Sequence, residues 1–77
     1  MANEQKSKAF STWLNDKLAE KAVSRYTLAT NVGVTSHAVF KWLRGESVPV
    51  RDNCRAIARY FNVPEEEVFQ IAGWKTW

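Results

Sequence analysis

The chain has 77 residues, 45% of them hydrophobic, with four Trp, four Phe and a formal net charge of +3. A chain of this length buries only roughly 60% of the surface its unfolded form exposes, so it supports one densely packed domain, residues 1–77, and no second one. The single Cys54 excludes an intramolecular disulfide, no apolar run approaches the roughly 20 residues of a membrane span, and Met1 to Lys8 lack the apolar stretch of a signal peptide, which together predict a cytoplasmic location.

The pattern is helical throughout, with no alternating strand run and no internal repeat. A polar arm over residues 1–7 is expected to be flexible. Phe10, Trp13, Leu14, Leu18 and Ala22 then mark the inner stripe of a first helix near Lys8 to Lys21. Ser24 is the N-cap of a second helix running to about Val32, and Gly33 ends it, because the chain must turn there with positive φ. Thr35 caps a third helix that runs to about Leu43 and stops near Gly45. Glu46 to Val50, with Pro49, form a linking loop. A fourth helix spans roughly Arg51 to Phe61, burying Cys54, Ile57, Ala58 and Phe61, and Asn62 can take the left-handed cap. Pro64 opens a fifth helix whose first turn carries Glu65, Glu66 and Glu67, at the end the helix dipole makes positive. Residues 73–77 form a tail.

Within this series the stretch Ser24 to Gly45 is the most informative. Leu28, Val32, Val34, Val39 and Trp42 frame Ala29 and Gly33 with the spacing of a helix-turn-helix at about residues 25–44. Ala29 lies where the two helices cross, so a small side chain is needed for their backbones to approach. One side is buried, and Thr35, Ser36, His37, Phe40, Lys41 and Arg44 are left on the other. A short helix with small polar and basic residues at its exposed start suits the DNA major groove, which admits one helix and offers donors and acceptors on base edges.

Ser24, Leu28, Ala29, Gly33, Val34, Thr35, Val39, Trp42 and Gly45, followed by Pro49, Ala58, Asn62 and Val63, resemble the lambda-repressor-like, XRE-type DNA-binding domains of phage repressors, Cro-like proteins and many bacterial regulators. The resemblance runs from about Phe10 to Ala72. It implies an all-α, five-helix fold and a sequence-specific double-stranded DNA-binding role, whether as repressor, activator or antitoxin. Ser36 and His37 fall where the family's base-reading pair begins the recognition helix, with Lys41 one turn later on the same face. Lys41 can donate to guanine O6 and N7, or hold a phosphate. Phe40 either meets thymine methyl groups or folds back over a neighbouring side chain. Arg25 occupies the place of a phosphate-contacting residue, and Thr35, Arg44 and Ser47 are implied as further DNA-backbone contacts. Many members pair an Arg in the first helix with a Glu just after the Trp42 position. Those sites here are Leu18 and Leu43, an apolar exchange expected to tie the first helix to the third without the desolvation cost of a buried ion pair.

Charge distribution agrees with a polyanionic partner. The isoelectric point is about 9.3, and residues 1–62 hold ten Lys and Arg against five Asp and Glu, whereas residues 63–77 hold one Lys against three Glu. At the acidic end Phe69, Ile71, Trp74 and Trp77 outnumber what a short helix can shield, so they are expected to form a dimer interface. A further C-terminal domain or a protein partner is the other cover they allow. His37 is the sole histidine, no Cys/His set has zinc spacing, and no nucleophile or paired acid stands beside it, so neither metal, cofactor nor catalysis is expected. The reading is a phage- or bacterial-type transcriptional repressor acting as a homodimer on a two-fold operator. The alternative is a protein-interaction module, such as an antitoxin or adaptor, built on the same scaffold and its Trp-rich tail.

Overall fold

The computed structural model describes the backbone of residues 2–74 and the side chains of residues 7–74, and among these the chain is entirely helical: α1 (Ala2–Lys21), α2 (Arg25–Val32), α3 (Ser36–Leu43), α4 (Arg51–Phe61) and α5 (Glu65–Ala72). Each helix packs chiefly on two others, in the closed circuit α1, α3, α2, α4, α5 and back to α1. The core fills that circuit. Phe10, Leu14 and Leu18 bring the inner stripe of α1 against Leu28, Val39, Trp42, Ile57, Phe61 and Val68, all buried. Aromatic rings bind the layers: Phe10 meets Trp42 edge-on at 6.4 Å, and Trp13 meets Phe61 edge-on at 5.9 Å. None of the described helices is long and apolar enough to cross a membrane.

The connections share one chemistry. α1 closes with Val23 N–H on Leu18 C=O and Ala22 N–H on Ala19 C=O, the paired bonds of a Schellman motif. The same six-residue bond closes α2 (Val34 to Ala29), α3 (Glu46 to Lys41), α4 (Val63 to Ala58) and α5 (Trp74 to Phe69). Each motif needs one residue with positive φ, supplied by Ala22, Gly33, Gly45, Asn62 and Gly73. After three of them the chain reads left-handed residue, Val, N-cap: Ala22-Val23-Ser24, Gly33-Val34-Thr35 and Asn62-Val63-Pro64. The three valines are partly buried against the core, so each junction is anchored by backbone bonds and by apolar contact together. Ser24 and Thr35 then restart the chain, their hydroxyl oxygens accepting the N–H of Thr27 at 3.2 Å and of Ala38 at 3.1 Å.

The link from α3 to α4 is longer and is held from three sides. The Leu43 carbonyl accepts from the Ser11 hydroxyl and from Asn15 Nδ2, tying α1 to the end of α3. Gly45 (φ +79°) passes close to α1, and Pro49 is fully buried. The Pro49 carbonyl accepts from both the Cys54 thiol at 3.6 Å and the Trp74 indole at 2.8 Å.

Four sequence expectations change. α1 starts at Ala2, not near Lys8, so the stretch expected as a flexible arm continues the helix; Glu4, Gln5, Lys6 and Ala9 are good helix formers with no Gly or Pro among them. Ala22 is exposed and left-handed, and so terminates the stripe it was expected to extend. Phe69 is buried, with the Arg51 and Arg55 guanidinium groups over its ring at 5.5 and 5.8 Å, which removes it from any exposed dimer face. Leu18 is buried and Leu43 half-buried on the core, but the bonded tie from α1 to α3 is the Ser11 and Asn15 pair on the Leu43 carbonyl.

Replacing Ser24 or Thr35 by Ala should each cost about 1 kcal/mol of stability, because the first-turn N–H groups lose their acceptor. Urea denaturation measures it, and Ser24→Asp, which keeps an acceptor oxygen, should cost less. Burial pushes the Cys54 thiol up to about 12, with Arg51 partly opposing. The folded chain therefore holds this proton more tightly than the unfolded one, where a thiol ionises near pH 9. Stability from this group is complete below pH 9 and is lost as pH rises toward 12, at about 1.4 kcal/mol per pH unit. Comparing the chain with Cys54→Ala across that range should show the steeper fall only where the thiol is present.

Candidate nucleic-acid interface

α2 and α3 place their N-terminal ends side by side. Arg25 is the first residue of α2, Ser36 and His37 are the first two of α3, and with Phe40 one turn on they line an open depression of about 270 Å³. Unpaired first-turn N–H groups and the helix dipole give such an end partial positive charge, so two helix starts and the Arg25 guanidinium reinforce one another there. The apolar part of the lining is Phe40.

Phe40 is half-buried because it is covered by cations. The Arg25 guanidinium carbon lies 4.9 Å from its ring centre and that of Arg44 lies 5.4 Å away, while the His37 ring is tilted beside it at 6.3 Å. Arg25 also donates from Nη2 to the Tyr26 hydroxyl at 3.0 Å and stacks on the Tyr26 ring at 5.0 Å. Arg44, the C-terminal cap of α3, pairs with Glu46 through Nε at 3.0 Å. Both members of that pair are largely solvated, so it contributes little to stability while it offsets one positive charge of the face.

The eight residues expected to touch DNA thus divide. Arg25, Ser36, His37 and Phe40 converge on the depression. Lys41 is exposed and has no ion-pair partner among the described residues. Thr35 is exposed, but its hydroxyl oxygen is already engaged as the α3 cap. Arg44 is drawn onto Phe40 and Glu46, and Ser47 is half-buried in the 44–50 link. Sequence reading missed Tyr26 and Glu46. The adjacency Arg25-Tyr26 was the signal for the first, since a Tyr beside a surface Arg can offer it both a π face and a hydroxyl; nothing local marked Glu46. Of the residues expected at a dimer face, Ile71 is half-buried on the core, Trp74 is 37% exposed with its indole N–H committed to Pro49, and Trp77 lies outside the described residues. Among the described residues no group of three His, Cys, Asp or Glu side chains gathers as a metal site.

Comparison with protein-family models, with curated proteins and with solved structures found no match for this chain.

Because each guanidinium on Phe40 contributes about 0.5–1 kcal/mol at a solvated site, Phe40→Leu should lower stability by about 1 kcal/mol. In the Arg25→Ala background the same change should cost less. A double-mutant cycle by urea denaturation reads the coupling; strictly additive losses would show that the cations merely lie nearby.

Proposed function

We propose that this chain binds duplex DNA sequence-specifically through the outer face of α3, as a repressor of the lambda-repressor-like helix-turn-helix kind. The observation that carries the reading is the convergence of Arg25, Ser36, His37 and Phe40 on one open depression, with Lys41 of the same helix as the last three exposed and without an ion-pair partner among the described residues. A recess with hydroxyl, imidazole and guanidinium donors around an apolar ring matches the edge of an A·T pair, whose thymine presents a carbonyl acceptor and a methyl group. Ser36, His37 and Lys41 are the base readers in this account. Phe40 supplies the methyl contact and carries the two arginines. Arg25 at the start of α2 takes a backbone phosphate, as does Arg44 once released from Glu46.

A homodimer on a two-fold operator fits the same reading, since paired helices spaced by one DNA turn read two half-sites. With Phe69 in the core, its apolar contact falls to Ile71, Trp74 and Trp77. The interaction-module alternative loses the same residue from its adhesive face. No catalytic role is proposed. A protein of this kind works in the cytoplasm on the nucleoid.

Selection of bound fragments from random duplex DNA at stated salt tests the reading: recovery of a two-fold motif supports it, and no enrichment favours the interaction module. On the selected site Lys41→Ala should cost about 1–3 kcal/mol and relax preference at particular base pairs, whereas Arg25→Ala should weaken all sequences alike and flatten the slope of log K against log salt by about 0.9. Equal loss on selected and scrambled DNA for Lys41→Ala would make Lys41 a phosphate contact.

A further inference from the structure

Tyr26 is 58% exposed, the most exposed of the large hydrophobic side chains described, yet it is not idle. Its hydroxyl accepts a hydrogen bond from Arg25 Nη2 at 3.0 Å, and its ring lies 5.0 Å from the same guanidinium, which Phe40 meets at 4.9 Å. Neighbouring residues on a helix do not normally face each other. The Arg25 guanidinium is instead held between the Tyr26 ring of α2 and the Phe40 ring of α3, with one hydrogen bond to the Tyr26 hydroxyl. Two chemical consequences follow. A phenol that accepts from a guanidinium still has its own O–H proton to give, and Arg25 still has four of its five N–H groups. Both sets of donors stand at the N-terminal turn of α2, where an anion is already favoured.

We propose that Arg25 and Tyr26 form a two-donor clamp for a phosphate oxygen, with Tyr26 both positioning Arg25 and donating its own hydroxyl. The clamp rests on the duplex-binding reading above for the identity of that phosphate: a backbone phosphate of DNA. Holding the guanidinium in place before binding removes part of the ordering cost that a solvated Arg would meet on contact. Tyr26 becomes a residue of the interface although it carries no charge.

Duplex titrations of Tyr26→Phe, Arg25→Ala and the double variant test the clamp, with thermal denaturation to verify that each is folded. Tyr26→Phe keeps the ring and removes only the hydroxyl, so affinity should fall about two- to tenfold, the range of one hydrogen bond. The salt slope should stay that of the unmodified chain, since no charge is lost. In the Arg25→Ala background the effect of Tyr26→Phe should shrink. Unchanged affinity for Tyr26→Phe, or a loss undiminished without Arg25, overturns the clamp while leaving duplex binding intact. In parallel, inorganic phosphate is added to the free protein and the Arg25 side-chain N–H and Tyr26 ring resonances are followed by NMR. Shifts at both residues in a chain that binds no duplex would keep the clamp and overturn the DNA reading; shifts at neither, with no duplex binding, overturn both.

Discussion

An eight-residue helix is marginal in water by itself, because the cost of its nucleus is repaid over too few hydrogen bonds. Three of the five helices here have that length, so what fixes where each one stops also fixes whether it forms. The backbone bond that closes a helix across six residues is that constraint. It satisfies carbonyls that would otherwise be orphaned, and it requires one residue at positive φ. It also delivers the next side chain, Val23, Val34 or Val63, onto the core. Where only three residues separate the helix bodies, before α2, α3 and α5, the direction of the helix follows from the end of the one before.

The interface inherits this geometry. Gly33, Val34 and Thr35 turn the chain so that α3 begins beside the first turn of α2, which is why residues eleven and more apart in sequence, Arg25 with Ser36, His37 and Phe40, share one depression. The other end of α3 is held by the Ser11 and Asn15 bonds to the Leu43 carbonyl. α3 is thus fixed at both ends, by the Thr35 cap at its start and by the Ser11 and Asn15 bonds at its finish.

Elements with local causes were legible in the sequence. Ser24, Gly33, Thr35, Asn62, Pro64 and Gly73 each act on the backbone within a few residues, and both limits of α2 and α5, the start of α3 and the end of α4 follow from them. The start of α1 was not legible because no breaker marks it. The burial of Phe69 depends on Arg51 and Arg55 arriving from α4, and the covering of Phe40 depends on Arg25 and Arg44 arriving from two directions. No periodicity encodes which long side chain bends over which ring. For the same reason sequence reading makes Arg44 a DNA-backbone contact and not a cation held on Phe40 and Glu46. Leu18 lies in the core and Leu43 packs against it, while the bonds joining α1 to α3 come from Ser11 and Asn15, polar residues that helical spacing alone leaves unassigned.

Ala22 stands apart from the other four left-handed residues, which are Gly or Asn. An alanine there bears the clash of its Cβ with the following carbonyl, roughly 1 kcal/mol that glycine would avoid. Nothing in the junction gains from the methyl group, which is exposed. Natural chains are kept above a threshold of stability and are not driven to its maximum, so small inefficiencies persist wherever the remainder of the fold can carry them. Ala22 marks the first junction as such a place, and its persistence measures the reserve held by the core and by the other four helix ends.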